Sequence, residues 1–190
     1  RPGRCFLERS AREEWQSQLD LGFLWSSRDW GRAGEYLEKA ITLARQMDDP
    51  AILARSLNRV GNWYANQEQP QEALRCHEEA LSIFEQLNDQ RGLTATLDLL
   101  GVTNLMAGNM VASAHFYQQS VAHYRQLGDR PGLSSSLALF SMRGGSYMVE
   151  TVYCNPAPLT ACLKDGEEAL AIAREMGSLP AEAGVLMYAG

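Results

Sequence analysis

The sequence predicts an all-α fold, a solenoid of antiparallel helical hairpins. Three observations carry that expectation: a 40-residue internal recurrence, apolar residues at helical spacing, and turn residues between the apolar runs. Residues 38–47, 78–87, 118–127 and 167–176 align with one another. Their small residue falls at Ala40, Ala80, Ser120 and Ala169. A second register agrees with the first. Leu57, Leu97 and Leu137 are 40 apart, as are Gly61, Gly101 and Ser141, and Ala33, Ala73 and Ser113 are followed by Cys162. The fourth copy comes 49 residues after the third, so about nine residues are inserted before it.

Each copy reads as a hairpin. Ala73, Leu74, Ala80, Leu81, Phe84 and Leu87 follow the 3.6-residue period. Helices are expected near 10–28, 30–47, 51–67, 70–87, 91–107, 110–127, 131–148, 158–176 and 180–189. Pro50, Pro70, Pro131 and Pro180 suit first turns, where a missing N–H costs nothing. Asp29, Asp49 and Asn109 suit N-caps, and Gly128 and Gly177 suit the left-handed residue that ends a helix. Gly61, Gly101 and Ser141 are expected to let helix backbones approach, with Leu57, Phe84 and Tyr117 filling the grooves. One hairpin cannot bury its own apolar face, so neighbours must stack. The chain is thus read as one array over 1–190. Its repeats are about 10–49, 50–89, 90–129 and 130–178, with the insertion at about 144–159 and a fifth repeat starting at 179–190.

Composition narrows the function classes. The formal net charge of −6 repels phosphate backbones and anionic lipid, so neither direct nucleic-acid binding nor membrane attachment is expected. Residues 99–124 carry no Lys, Arg, Asp or Glu, but Gly108-Asn109 divides them into two amphipathic helices rather than one membrane span. Cys5, Cys76, Cys154 and Cys162 have irregular spacing and no Cys-x-x-Cys, which reads as reduced thiols in a cytoplasmic protein. The opening Arg1-Pro2-Gly3-Arg4 and the closing Met187-Tyr188-Ala189-Gly190 read as cuts in a longer protein, and an exposed apolar end would permit an end-to-end homodimer.

Leu57, Gly61 and Tyr64 on a first helix, with Ala73 and Ala80 on a second, resemble the tetratricopeptide repeat family. The long 40-residue unit is similar to that of large bacterial signalling ATPases and transcription activators, and to the repeats of kinesin light chains and eukaryotic polarity adaptors. The resemblance implies a right-handed superhelix whose first helices line a concave groove that holds a protein or peptide. It implies no cofactor and no catalysis. Groove positions by this resemblance lie at −6, −3, +1, +4 and +5 from the Gly. Around Gly61 these are Arg55, Asn58, Asn62, Ala65 and Asn66; around Gly101, Ala95, Asp98, Val102, Leu105 and Met106. Around Ser141 they are Ser135, Ala138, Met142, Gly145 and Ser146; around Gly22, Gln16, Leu19, Phe23, Ser26 and Ser27.

The candidate peptide-binding residues are Arg55, Asn58, Asn62, Asn66, Asp98, Met106 and Met142. Asn58, Asn62 and Asn66 recur every four residues and read as one amide stripe, able to bond an extended backbone, or as a solvated face. Arg55 could grip a carboxylate. The apolar positions of later repeats fit either groove or core. The family's Lys/Asn clamp for a terminal carboxylate is not matched, because Asn58 stands where a Lys is wanted.

Two departures stand out. Gly22 to Ala33 is one residue shorter than Gly61 to Ala73, and the insertion carrying Tyr153 and Cys154 breaks the repeat as either a functional loop or a neutral length change. No His-Glu-x-x-His, Walker loop, Gly-x-Ser-x-Gly or zinc-like Cys pairing exists, so neither a metal nor an active site is expected. His115 and His123 are too far apart for one metal without a partner at Gln119, and His77 takes a packing position that in the family often holds Phe or Tyr. Three functions therefore compete: an interaction scaffold, a sensor or regulatory arm of a larger bacterial signalling protein, and, least supported, an enzyme.

Overall fold

The computed structural model describes the backbone of residues 2–144 and 158–189, and side chains within 9–143 and 158–188. The inserted residues 145–157, with Gly145, Ser146, Tyr153 and Cys154, lie outside the described residues. Every described element is helical: α1 (Pro2–Trp25), α2 (Trp30–Gln46), α3 (Pro50–Asn66), α4 (Pro70–Gln86), α5 (Gln90–Met106), α6 (Met110–Leu127), α7 (Arg130–Ser141), a 3-10 turn (Met142–Gly144), α8 (Leu159–Glu175) and α9 (Leu179–Ala189). The chain divides into two compact units, Arg1–Gly92 and Leu93–Gly190.

The 40-residue recurrence resolves into half-repeats. Helices α2 to α7 begin at residues 30, 50, 70, 90, 110 and 130, and α8 and α9 begin at 159 and 179. Each step is one helix of about 17 residues and a short turn. Five turns share one conformation. Glu68, Asn88, Gly108, Gly128 and Gly177 all have φ between +53° and +78°, each two residues before the next helix. The following N–H then reaches back five residues: Gln69 N to Tyr64 O, Asp89 N to Phe84 O, Asn109 N to Asn104 O, Asp129 N to Tyr124 O, and Ser178 N to Ala173 O, at 2.8–3.2 Å. This bond satisfies a carbonyl that the helix end would leave unpaired. The left-handed region costs a residue with a Cβ roughly 1–2 kcal/mol, less for Asn. Glu68→Gly is therefore expected to stabilise the chain by about 0.5–1 kcal/mol after the entropy of glycine is charged against it, and Asn88→Gly by less. Urea unfolding midpoints would show that order.

The helix starts follow the sequence. Pro50 and Pro70 open their helices, and Pro131 sits in the first turn of α7. Asp29 Oδ1 accepts from the Arg32 N–H, and Asp49 Oδ1 from those of Ala51 and Ile52. Asp89 and Asp129 do the same for Gly92 and Gly132. Asn109 differs from expectation: its side chain caps nothing and donates instead to Asn104 Oδ1. Helix α1 begins earlier than expected and stops at Trp25, two residues sooner after its glycine than α3 does, with a turn one residue longer. Helix α7 stops at Ser141 rather than near 148, where the chain tightens into the 3-10 turn ahead of Gly144.

The glycines are filled by side chains of neighbouring helices, with Tyr117 at Gly101 and Phe84 at Gly92 as the groove-filling reading expected. They receive rings and branched side chains more than backbones. A Cβ on Gly61 would lie 2.6 Å from the His77 ring, one on Gly101 3.0 Å from Tyr117, and one on Gly22 2.8 Å from Leu37. The partner lies 16 residues on in the two later repeats and 15 in the first, which is the one-residue shortening visible in the sequence. A second set of sockets joins each hairpin to the next: Gly92 faces Phe84 and Gly132 faces Tyr124, each at 2.3 Å from the missing Cβ. Ala33, Ala40, Ala73, Ala80, Ser113, Ser120, Cys162 and Ala169 are all buried.

The core of the first unit gathers Trp15, Leu19, Leu37, Ala40, Ala44, Ile52 and Val60. Trp15 Nε1 donates to the buried Ser56 hydroxyl at 2.8 Å, tying α1 to α3. The second unit gathers Val121, Tyr124, Leu133, Leu137, Ala138, Ala169, Ile172, Ala173 and Val185. There the Ser134 hydroxyl donates to the Ala169 carbonyl at 2.9 Å, tying α7 to α8.

Candidate functional site

In the first unit the first helices of the hairpins are α1 and α3. Asn58 does not stand in the solvent-facing row. Its Oδ1 lies 3.1 Å from Nδ1 of His77, a ring fully buried against Gly61. Burial pushes the His77 pKa down to about 4, so the ring is neutral at pH 7. Asn62 is half-buried, its carbonyl accepting from Asn66 Nδ2 at 2.8 Å, and Asn66 is exposed. The three amides thus pass from inside to outside along α3. A helix turns about 100° per residue, so a step of four drifts about 40° and two steps about 80°.

The row that keeps one bearing is Arg55, Arg59, Asn62 and Asn66, with Arg55, Arg59 and Asn66 exposed. Its ends, eleven residues apart, differ in bearing by only about 20°. Arg59 was not among the residues the sequence suggested; the i, i+4, i+7, i+11 spacing from Arg55 was the available signal. Its guanidinium lies 5.8 Å from the ring of Phe23 on α1, a side chain 67% exposed. Nearby, Arg32 lies 4.5 Å over Trp25. Neither Arg55 nor Arg59 takes part in an ion pair among the described residues, whereas Arg12, Arg32 and Arg75 each do.

In the second unit the first helices are α5, α7 and α9. Asp98 occupies the position of Asn58 one repeat on and is likewise turned inward, accepting from the Ser136 hydroxyl. Burial raises its pKa to about 6, although the Ser136 bond works in the opposite direction. Met106 and Met142 are exposed, as expected of groove residues. Leu19 in the first unit and Ala138 in the second are core residues instead. A cavity of about 370 Å³ lies between α7 and α9, lined by Ser135, Ala138, Ala181, Gly184, Val185 and Tyr188 among others.

Other candidate chemistry is absorbed by structure. Gln119 Nε2 donates to His115 Nε2 at 2.7 Å. The Cys76 thiol is pushed up to about 11 by burial and then by Glu79 and Glu72, which makes it a poor nucleophile. Among the described residues no group of three or more His, Cys, Asp or Glu is placed to hold a metal ion, and no helix is long and apolar enough to cross a membrane. The uncharged residues 99–124 are two helices broken at Gly108, as the sequence indicated.

The profile of the tetratricopeptide repeat matches residues 22–86 and 52–126, which together span more than half of the chain. The chain belongs to the tetratricopeptide repeat family. No curated protein sequence matches it. Among solved structures, it is similar to aspartyl phosphate phosphatase F of Bacillus subtilis, with a TM-score of 0.76 at 11% identity. That match covers 94% of this chain but only 44% of the phosphatase. It is similar to the nearly identical TPR-like repeats of a Podosopora anserina kinesin light chain, with a TM-score of 0.70 at 15% identity, covering 92% of this chain and 82% of that one. It is also similar to BtubC (BKLC) of P. vanneervenii, with a TM-score of 0.54 at 10% identity, covering 96% and 87%. At such identities these likenesses concern the fold. In this tetratricopeptide chain His77 and Tyr117 hold the same ring-bearing position, each seated on the glycine 16 residues before it.

Proposed function

We propose that the chain is a protein-interaction scaffold and that, in its first unit, a partner segment lies along α1 and α3. The observation that carries this reading is the solvent-facing row of Arg55, Arg59, Asn62 and Asn66 beside the exposed Phe23. Arginine and aromatic side chains dominate the energetics of protein interfaces, and these two arginines take part in no ion pair among the described residues. Asn62 and Asn66 add amide donors and acceptors for a backbone. Asn58 contributes indirectly, by fixing the ring beneath α3. Met106 and Met142 extend the reading to exposed apolar contacts in the second unit, where Asp98 is the polar residue. The free thiols of Cys76 and Cys162 suit a reducing cytoplasm.

A photo-crosslinking amino acid placed at Asn62, and separately at Glu79 on the outer face of α4, tests the reading in cells. Discrete adducts are expected at position 62 and not at 79. The same adducts at both positions, or none at 62, would remove it. A second reading, a regulatory arm within a larger signalling protein, is favoured by the match to less than half of the Bacillus phosphatase. The domain content of the full gene product decides between a free-standing scaffold and such an arm.

A further inference from the structure

Helix α3 carries two arginines and no Asp or Glu. Arg55 and Arg59 stand exposed on its solvent-facing row, and neither joins an ion pair among the described residues. Three carboxylates of the segments leading to α3 already have partners. Asp20 accepts from Gln16, Asp29 caps α2 and pairs with Arg32, and Asp49 caps α3 and pairs with Arg12. The arginine row adjoins apolar surface. The Arg59 guanidinium lies 5.8 Å from the ring of Phe23, and Phe23, Leu24 and Trp30 are all exposed. A chain of net charge −6 thus sets two cations without carboxylate partners beside bare aromatic area.

That combination selects among ligands. An acidic segment supplies the counter-ions, and a basic one meets repulsion. A purely apolar segment would strip water from two guanidiniums and return no hydrogen bond. A polynucleotide would meet the negative charge of the chain as a whole. The spacing narrows the class further. Arg55 and Arg59 are four residues apart, about 6 Å along α3. Alternate residues of an extended chain point the same way and stand about 6.6 Å apart. An extended segment lying along α3 therefore meets the two arginines with side chains i and i+2. Asn62 and Asn66, further along the row, offer amides to its backbone.

We propose that the α1–α3 surface binds an extended acidic peptide segment, in which two Asp or Glu residues separated by one residue pair with Arg55 and Arg59 and a large apolar side chain rests on Phe23. This assignment rests on the scaffold reading and names the chemistry of its partner. Random peptides displayed on phage and selected on the whole chain would test it. Wild-type selections are expected to share an acidic-x-acidic pattern with a large apolar residue within two positions of it. In calorimetry, the double variant Arg55→Gln/Arg59→Gln should bind the enriched synthetic peptide at least tenfold more weakly, with circular dichroism checking its fold. Arg75→Gln, on α4, should bind it within twofold of wild type. Phe23→Ala should weaken it severalfold, as should raising NaCl from about 50 to about 500 mM. Enriched peptides with no acidic pair at that spacing, or undiminished affinity in the double variant, would overturn the assignment while leaving the scaffold intact. So would an oligouridylate that wild type binds and the double variant does not, since the row would then be a phosphate-binding surface. No enrichment over an unrelated protein would overturn both.

Discussion

Tyr124→Ala is expected to cost about 3–5 kcal/mol, and adding Gly132→Ile to it to recover part of that loss, although Gly132→Ile alone is destabilising. The argument is one of volume conserved across a recurring pair. Eight residues separate Ala44 from Ile52, Phe84 from Gly92 and Tyr124 from Gly132. In the later two pairs the second-helix residue is a buried ring and the next first helix offers glycine beneath it. In the earliest pair the sizes are exchanged: Ala44 is fully buried, and Ile52 belongs to the same core. The molecule thus already contains both solutions. A side chain on Gly132 with the ring in place would begin 2.3 Å from Tyr124 Cε1, a distance the two atoms cannot share. With the ring removed, an isoleucine enters the space it vacated. A double-mutant cycle by urea unfolding should give a favourable coupling of about 1–3 kcal/mol. Additive losses would mean that the two residues do not share one space.

Asp98 and His77 should tilt the pH dependence of stability in opposite directions. The Asp98 carboxyl is raised from 3.8 to about 6 by burial. Its contribution is fully present below pH 3.8 and lost as pH rises through 6, since the folded state holds a proton there that the unfolded state releases. His77 is lowered from 6.5 to about 4, again by burial. Its contribution is present above pH 6.5 and lost as pH falls through 4. Each shift corresponds to about 3 kcal/mol at most, so between roughly pH 4 and 6 the two slopes largely cancel. Asp98→Asn should therefore gain about 2 kcal/mol at pH 7 and expose a steep acid-side loss governed by His77. His77→Tyr copies the Tyr117–Gly101 pair one repeat later and should remove that loss, leaving stability that falls from pH 4 to 6. Denaturation midpoints of the three proteins from pH 3.5 to 7.5 would show the divergence. Parallel curves would mean that neither group titrates abnormally.

Which of these features the sequence disclosed depends on their range. Helix starts were legible because proline and aspartate act on their own neighbours: Pro50, Pro70, Asp29 and Asp49 stand where local chemistry places them. The left-handed turns were legible at Gly128 and Gly177 but not at Glu68 or Asn88, exposed residues that adopt the same conformation although a Cβ disfavours it. The site was legible in part. Arg55, Met106 and Met142 are exposed as expected. Asn58 and Asp98 face inward because a ring or a hydroxyl from another helix waits for them, and no spacing rule along one helix reveals a partner 19 or 38 residues away. The three amides differ in exposure because a four-residue step drifts around the helix, and the same drift brings Arg59 beside Arg55.

The even tread of the helices bears on how such a chain can change in length. Because α2 to α7 start at intervals of twenty, adding or removing forty residues returns every ring to a glycine and every glycine to a ring. A change of twenty would exchange the two kinds of helix and set bulk against bulk. The extra nine residues lengthen the single step from α7 to α8, and α9 again starts twenty residues after α8, so the interval resumes beyond the insertion.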